Sequence, residues 1–599
     1  MRKLSLNMAA GLVLLAACLQ GAPPLRAASA ASVQRAAALD IRETGIAAWI
    51  WTDKIWYGFG EQATLRWTVV TDGETGPFTI VAYRQNNQTG VKTYMPGNSV
   101  DVTDILGKKA GEFQAFEIAD TEKGVLLGEG GLVGSETGVM PDEPGMHTFV
   151  VEFRAADGLR ILKTCYTKFV VISDFQDVTG SISEDTTWTN DKVHRLHGVT
   201  YVNNGATLTI EPGTVVIGQP GSEPPSVLVV TRNGKLIAEG TQSRPIIMTS
   251  ALAPGERSRG DWGGLIMLGK APVNVGANAG GKDNTAGEFY IEGLPAGEDT
   301  KYGGSDPAHS CASLRYVRVE FAGSIFAPNN EANSFTWGGC GTGTKVDFVQ
   351  ASYGLDDSFE WFGGTMNASH LIGGLGADDY VDFQLGYTGK IQYGIFYQDE
   401  DSKGNRGLEG DNSEYDQGAS PLSKPELYNL TFIGSGAPGF DEANAPGIYL
   451  RRGAGASINN TLVTRFYSTG VQIDGTSTQA QVEAGNLDMN GILLWNNGIG
   501  AGSGDTLASQ VHSGTLTFAE GTRGNGRNFM VSDTLMRRAF QFNDPDFRPL
   551  ANSPIHRADW IQPPDNGFFD QSARFAGGAG ETEWWKEWTS FVTESAIQK

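Results

Sequence analysis

"LDDSFEWFGGTMNASHLIGGLGADDYVDFQLG" occupies residues 355–386, and its second half restates its first. Asp356, Asp357, Phe359, Glu360 and Trp361 return as Asp378, Asp379, Val381, Asp382 and Phe383, every one displaced by 22 residues. In an extended run alternate side chains point to opposite faces. Within Phe359-Glu360-Trp361-Phe362 this assigns Phe359 and Trp361 to the inside, and Glu360 and Phe362 to solvent. The pattern continues through Leu408-Glu409-Gly410-Asp411, Ile448-Tyr449-Leu450-Arg451 and Val471-Gln472-Ile473-Asp474, at steps of 27, 40 and 23, the longer steps implying bulging loops. One inward column is then Phe359, Val381, Leu408, Ile448 and Val471, apolar at every level. A parallel series, Phe348-Val349, His370-Leu371 and Tyr393-Gly394, runs at steps of 22 and 23 and places His370 in the surroundings of Phe348 and Tyr393. Short strands repeating near 22 residues are the signature of a right-handed parallel β-helix, whose coils bury their inward side chains on one another.

Composition agrees. Gly makes up 80 of 599 residues and only 19% are charged, which suits short strands joined by tight turns better than long solvated helices. The formal net charge of -23 argues against a nucleic-acid partner, because phosphate binding needs clustered Lys and Arg. An acidic surface favours cations, or neutral ligands held by stacking and hydrogen bonds.

The first residues read as an export signal. Arg2 and Lys3 precede an apolar run from Met8 to Ala17, too short to span a bilayer. Leu15-Ala16-Ala17-Cys18 resembles the lipobox of bacterial lipoproteins, which predicts lipidation of Cys18; Ala28-Ser29-Ala30 is the alternative, an ordinary cleavage site. Residues 1–30 are thus assigned to the signal, with an Ala/Ser/Pro-rich tether continuing to 39. No later segment is long and apolar enough to span a membrane, so a lipid anchor is the expected membrane attachment, with an outer-membrane, cell-surface or otherwise exported location. With Cys18 set aside, Cys311 and Cys340 are candidates for a disulfide.

Residues 40–178 carry strand patterns at sandwich spacing. In "EQATLRWTVV" Ala63, Leu65, Trp67 and Val69 alternate with polar or smaller neighbours, and "PFTIVAYR" and "GMHTFVVEFRAADG" follow across turns. This predicts an immunoglobulin-like β-sandwich acting as a spacer or binding module. Residues 182–545 are assigned to the β-helix. Residues 546–599, with Trp584, Trp585 and Trp588, are assigned to a cap over the open end of its core. The expected fold is therefore all-β.

The stretches "GATLTIEPGTVV", "GDWGGLIMLGKAPVN", "DDSFEWFGGT" and "NGFFDQSARFAGGAGETEWWKEWTSF" together resemble a large, mostly uncharacterised group of exported bacterial β-helix proteins. The resemblance covers roughly residues 182–592 and implies the fold; it brings no activity and no catalytic residues.

The outward columns carry the candidate chemistry. One reads Glu360, Asp382, Glu409, Tyr449, Gln472; its neighbour reads Phe362, Gln384, Asp411, Arg451, Asp474. Coils lie about 4.8 Å apart, so stacked carboxylates repel by roughly 1 kcal/mol per pair in water and about 3 in a shielded groove. Calcium is one compensation, since its oxygen ligands at about 2.3–2.6 Å allow one ion to bridge carboxylates of successive coils. Candidate ligands are Glu360, Asp382, Glu409 and Asp411, with Asp399 and Asp401 in the loop "QDEDSKGNRGLEGDN". Solvated carboxylates without an ion are the plainer alternative. Shared protons are a third, leading to glycoside chemistry. Glu360, Asp382 and Glu409 would then be the catalytic acids of a glycoside hydrolase, or, as polysaccharide lyases on this architecture use calcium with a base, Arg451 would be that base. The expectation is an envelope or surface protein that binds glycan or another envelope component, with a polysaccharide-degrading enzyme as the alternative.

Overall fold

In a computed structural model, the described residues run from 46 to 597, leaving out 72–77, 95–99, 102–124, 128–130, 156–158, 328–329, 399–403, 438–445, 500–528, 531–535, 557–559 and 594–596. Cys18, Asp399 and Asp401 lie outside the described residues.

Among the described residues, 23 strands between Asp174–Ile182 and Phe529–Met530 form a single sheet wound as a right-handed parallel β-helix, with two short two-stranded hairpins in its insertions outside it. Its register follows the sequence period. Glu360 pairs with Asp382, Asp382 with Glu409, Glu409 with Tyr449, and Tyr449 with Gln472. Phe359, Val381, Leu408, Ile448 and Val471 are all buried, and aromatic rings stack directly from coil to coil. Trp337 and Trp361 lie 4.8 Å apart between ring centroids, Phe335 and Phe359 5.3 Å. The ring spacing is close to that of the coils themselves, so each inward side chain is covered by its counterparts above and below. The parallel sheet begins at Asp174, ahead of the sequence-assigned boundary, because this strand pairs with Lys192–Val202 rather than with the sandwich.

The doubled aspartates turn out to be rungs of a polar ladder at one turn. Asn333 Oδ1 accepts the N–H of Asp357 (3.2 Å), Asp357 Oδ1 accepts the N–H of Asp379 (2.9 Å), and Asp379 Oδ1 accepts the N–H of Arg406 (2.7 Å). Each side chain satisfies a backbone donor of the next coil, which would otherwise be buried without a partner. That requirement recurs over three successive coils and is met in turn by Asn333, Asp357 and Asp379.

A second ladder bends the chain on another side. Tyr316, Phe348, His370, Tyr393, Asn429 and Asn460 all have left-handed backbone, with φ of 50–65°. Each is skipped in the strand register, as when Arg315 pairs with Asp347 and Val317 with Val349. His370 is sandwiched between Phe348 (4.1 Å) and Tyr393 (4.9 Å), as the spacing predicts.

Residues 46–172 form two sheets. One orders Ile46–Thr52, Gln62–Thr71, Gly131–Val139 and Val125–Leu127; the other runs from Trp56–Gly58 through Ile161–Ile172, Gly145–Ala155 and Phe78–Asn86 to Lys92–Tyr94. Ala63, Leu65, Trp67 and Val69 face the shared core with Phe149, Phe153 and Phe169. The sandwich docks on the first coils through Met146, Val170 and Ile172, packed against Val193, Val215 and Ile247.

The Trp-rich C-terminal segment covers apolar surface, but along the flank of the helix rather than over its open end. It runs beside the left-handed ladder. Gln350 Nε2 donates to Ser590 O, Asn429 Nδ2 to Phe575 O, and Asn460 Nδ2 to Ile561 O. The aromatic ladder offers an apolar flank that needs covering, and Trp588 packs on Tyr316 and Phe348 while Trp584 packs on His370. Cys311 and Cys340 are joined by a disulfide, both fully buried.

Candidate functional site

Alternation puts Glu360, Asp382, Glu409 and Asp411 on the outer face of one sheet, and the structure keeps them there in adjacent coils. It does not leave them in solvent. Glu360 is 4% exposed, Glu409 3% and Asp411 3%, while Asp382 is partly buried. Phe362, expected to be exposed, is 5% exposed. Over Glu360 and Phe362 the cover is the insertion after Leu268; over Glu409 and Asp411 it includes Arg406, Arg451 and Arg452. Val273, Phe289, Ile291 and Tyr302 pack on Phe362 and Leu385, and Asn274 pins this layer by donating to Asn412 Oδ1 and Pro421 O, each at 2.9 Å. Residues 275–312 have no periodicity, so nothing local in them announces the face on which they lie.

The buried strip divides by how its charge is met. At one end arginines do it. Arg406 bridges Asp379 (3.2 Å) and Glu409; Arg451 holds Glu409 and, at 3.0 Å, Asp411; Arg452 reaches Asp411 at 2.7 Å. Arg451 is therefore clamped between two carboxylates rather than free to act as a base. At the other end no arginine or lysine forms an ion pair with Asp356, Asp357, Glu360 or Asp382 among the described residues. Glu360 accepts from Asn333 Nδ2 and, at 2.9 Å, from Gln384 Nε2. Asp382 Oδ1 is enclosed and has no hydrogen-bond partner.

Here the carboxylates converge. One oxygen each from Asp357, Glu360 and Asp382 lie within 4.8 Å of one another, and so do oxygens of Asp356, Asp357 and Asp378. Enclosure, followed by the neighbouring Glu292 and Asp382 charges, raises the Glu360 carboxyl well above the usual range. Enclosure and then Glu409 do the same to Asp382, and enclosure and then Asp378 to Asp356. Glu292, on the covering insertion, is pushed up to about 7, chiefly by burial. These acids must hold protons or share a cation. The donor set fits calcium: all oxygen, clustered, with one enclosed oxygen unsatisfied.

The pattern in the sequence marks Asp356, Asp357, Asp378 and Asp379 only as a period, whereas the structure places them in the site; Arg406, Arg452 and Glu292 carry no periodic signal at all. Of the sequence candidates, Glu360 and Asp382 join this cluster. Glu409 and Asp411 belong to the arginine-paired end.

A sequence profile described as "Pectate-lyase like beta helix domain" matches residues 180–538. No curated protein matches the sequence. Solved structures also align with it, among them the following two. The Pseudomonas fluorescens alkylpurine DNA glycosylase AlkC, bound to DNA containing an abasic-site analogue, does so at 11% identity over 22% of this chain and 35% of its own, with a TM-score of 0.14. The chain thus spans about a third of that protein's length. The Yersinia enterocolitica Family 28 exopolygalacturonase aligns at 10% identity over 74% of this chain and 91% of its own, with a TM-score of 0.19. Superpositions this loose carry no functional argument.

Proposed function

The chain belongs to the pectate-lyase-like β-helix family over residues 180–538, and from that premise we propose an exported envelope protein that binds glycan, its acidic strip an internal, calcium-stabilised part of the fold. The observation that supports this reading is the covered state of the strip: Glu360, Glu409 and Asp411 are each 3–4% exposed. A polymer cannot reach carboxylates under a packed layer, and Arg451 is engaged by Glu409 and Asp411. Glycosidase chemistry requires two acids flanking a bound sugar, and a lyase requires a base within reach of its proton.

Asp357, Glu360 and Asp382 would hold the ion, with Asp356 and Asp378 beside them; bound there, calcium supplies charge neutralisation to the turn. The expected result of incubating the protein with acidic and neutral polysaccharides is binding without cleavage. Release of products that Asp382→Asn abolishes, with an unchanged unfolding midpoint, would replace this reading by the lyase or hydrolase alternative.

Export and anchoring rest on Arg2, Lys3, the Met8–Ala17 run and Cys18. Among the described residues no helix is long and apolar enough to cross a membrane. Metabolic labelling with a fatty acid is expected to mark the wild type and not Cys18→Ala. An unlabelled wild type would favour cleavage after Ala30 and remove the anchor.

A further inference from the structure

Where the C-terminal segment crosses the left-handed ladder it leaves a cavity of about 430 Å³, within the range of small-ligand sites. The wall is aromatic. His370 stacks on Tyr393 at 4.9 Å, Tyr393 lies parallel to Phe575 at 6.3 Å, and Trp584 meets His370 edge-on at 5.0 Å. The Trp584 indole is fixed by its N–H, which donates to Gly578 O at 2.9 Å. The rim is polar and open. Asp570 and Glu581 are exposed, and the Tyr393 hydroxyl donates to Asp570 Oδ2 at 2.7 Å. Ser572 Oγ donates to Asp570 Oδ1 at 2.7 Å, so the carboxylate is oriented while keeping lone pairs for a further donor. His370 spends Nδ1 on Asp347 at 2.8 Å, which fixes the ring and leaves Nε2 for another partner.

Half-buried rings beside fixed acceptors suit a ligand with one apolar face and a fringe of hydroxyl donors, which is a sugar ring. No Lys or Arg lines the cavity, and two carboxylates do. An anionic sugar would meet two carboxylates there, with only the imidazoles of His370 in the wall and of His556, 3.3 Å from Glu581, to set against them among the described residues. The geometry points to a binding site for a neutral glycan between the C-terminal segment and the helix flank, on Asn367–Gly374 and Lys390–Tyr397 rather than on the strands that carry the acidic strip. This rests on the glycan-binding reading above and narrows it to one place and one charge class. Trp585 and Trp588, 3% and 0% exposed, are structural; Trp584 is the tryptophan available to a ligand.

The test is calorimetric titration of the full-length protein with cello-, xylo- and manno-oligosaccharides, and with oligogalacturonate as the anionic comparison. At least one neutral series is expected to bind and oligogalacturonate to bind at least tenfold more weakly. Loss of a hydrogen bond to a charged group is worth about tenfold, so Glu581→Gln is expected to weaken the neutral ligand by that factor. Trp584→Ala is expected to abolish binding. Glu581 is on the surface, so its variant reports on the site even if Trp584→Ala loosens the segment, which the unfolding midpoint will reveal. Binding of equal strength to wild type and Glu581→Gln would overturn this site while leaving glycan binding in place. Preference for oligogalacturonate would overturn the charge class. Binding of none of these sugars would overturn both the site and the glycan reading.

Discussion

In chelator, the thermal unfolding midpoint falls as the pH is raised from 5 to 8, and millimolar calcium raises it more at pH 8 than at pH 5. Asp356, Asp357, Glu360 and Asp382 all have carboxyls held well above the usual range, burial being the first cause in each. Glu292 and Asp378 are pushed up to about 7. A carboxyl raised in this way binds more protons folded than unfolded between its two values, so stability has a negative slope with pH there. The contribution is complete below the unfolded value near pH 4 and is lost as the pH climbs through about 7. Calcium takes the place of the protons and needs the ionised form, so its binding strengthens with pH. At a hundredfold excess over Kd it would stabilise by about 2.7 kcal/mol. Asp382→Asn should flatten both dependences. A midpoint at pH 8 that ignores calcium would remove the ion. A midpoint that rises with pH in chelator would show the strip already ionised and paired.

Arg406→Ala is expected to cost about 3–5 kcal/mol, the usual penalty for stranding buried charge. The guanidinium is the partner of both Asp379 and Glu409, whose side chains are 4% exposed, and it lies 5.0 Å over the Tyr449 ring. Coils contact only their neighbours, so the damage should be local. Native-state hydrogen exchange reads it: protection should collapse in Val381–Gln384 and Leu408–Asp411, and persist in strands such as Val227–Val230 far along the axis. Adding Asp379→Asn should recover part of the loss by removing the charge that Arg406 alone meets, since Glu409 keeps Arg451. A change below about 1 kcal/mol would mean that protons, not Arg406, neutralise this end of the strip.

The chain's own order determined a good deal. An inward side chain in a stacked coil touches the same position one coil away, so every level must be apolar and the period must persist. Phe359, Val381, Leu408, Ile448 and Val471 satisfy this, and so the register, the all-β class and the neighbours of His370 could be read directly. The turn aspartates could be seen as a period for the same reason, since three successive coils each present one backbone donor that needs an acceptor. What lies outside the coils obeys no such rule. Whether Glu360 meets water or Tyr302's layer depends on an insertion whose contacts are long-range and aperiodic, and whether Trp588 closes an end or lines a flank depends on where six left-handed residues expose an apolar wall. Alternation fixes which way a side chain points; only the packing of distant segments fixes what it meets there, and burial rather than direction decides whether those carboxylates carry charge, a proton or a cation.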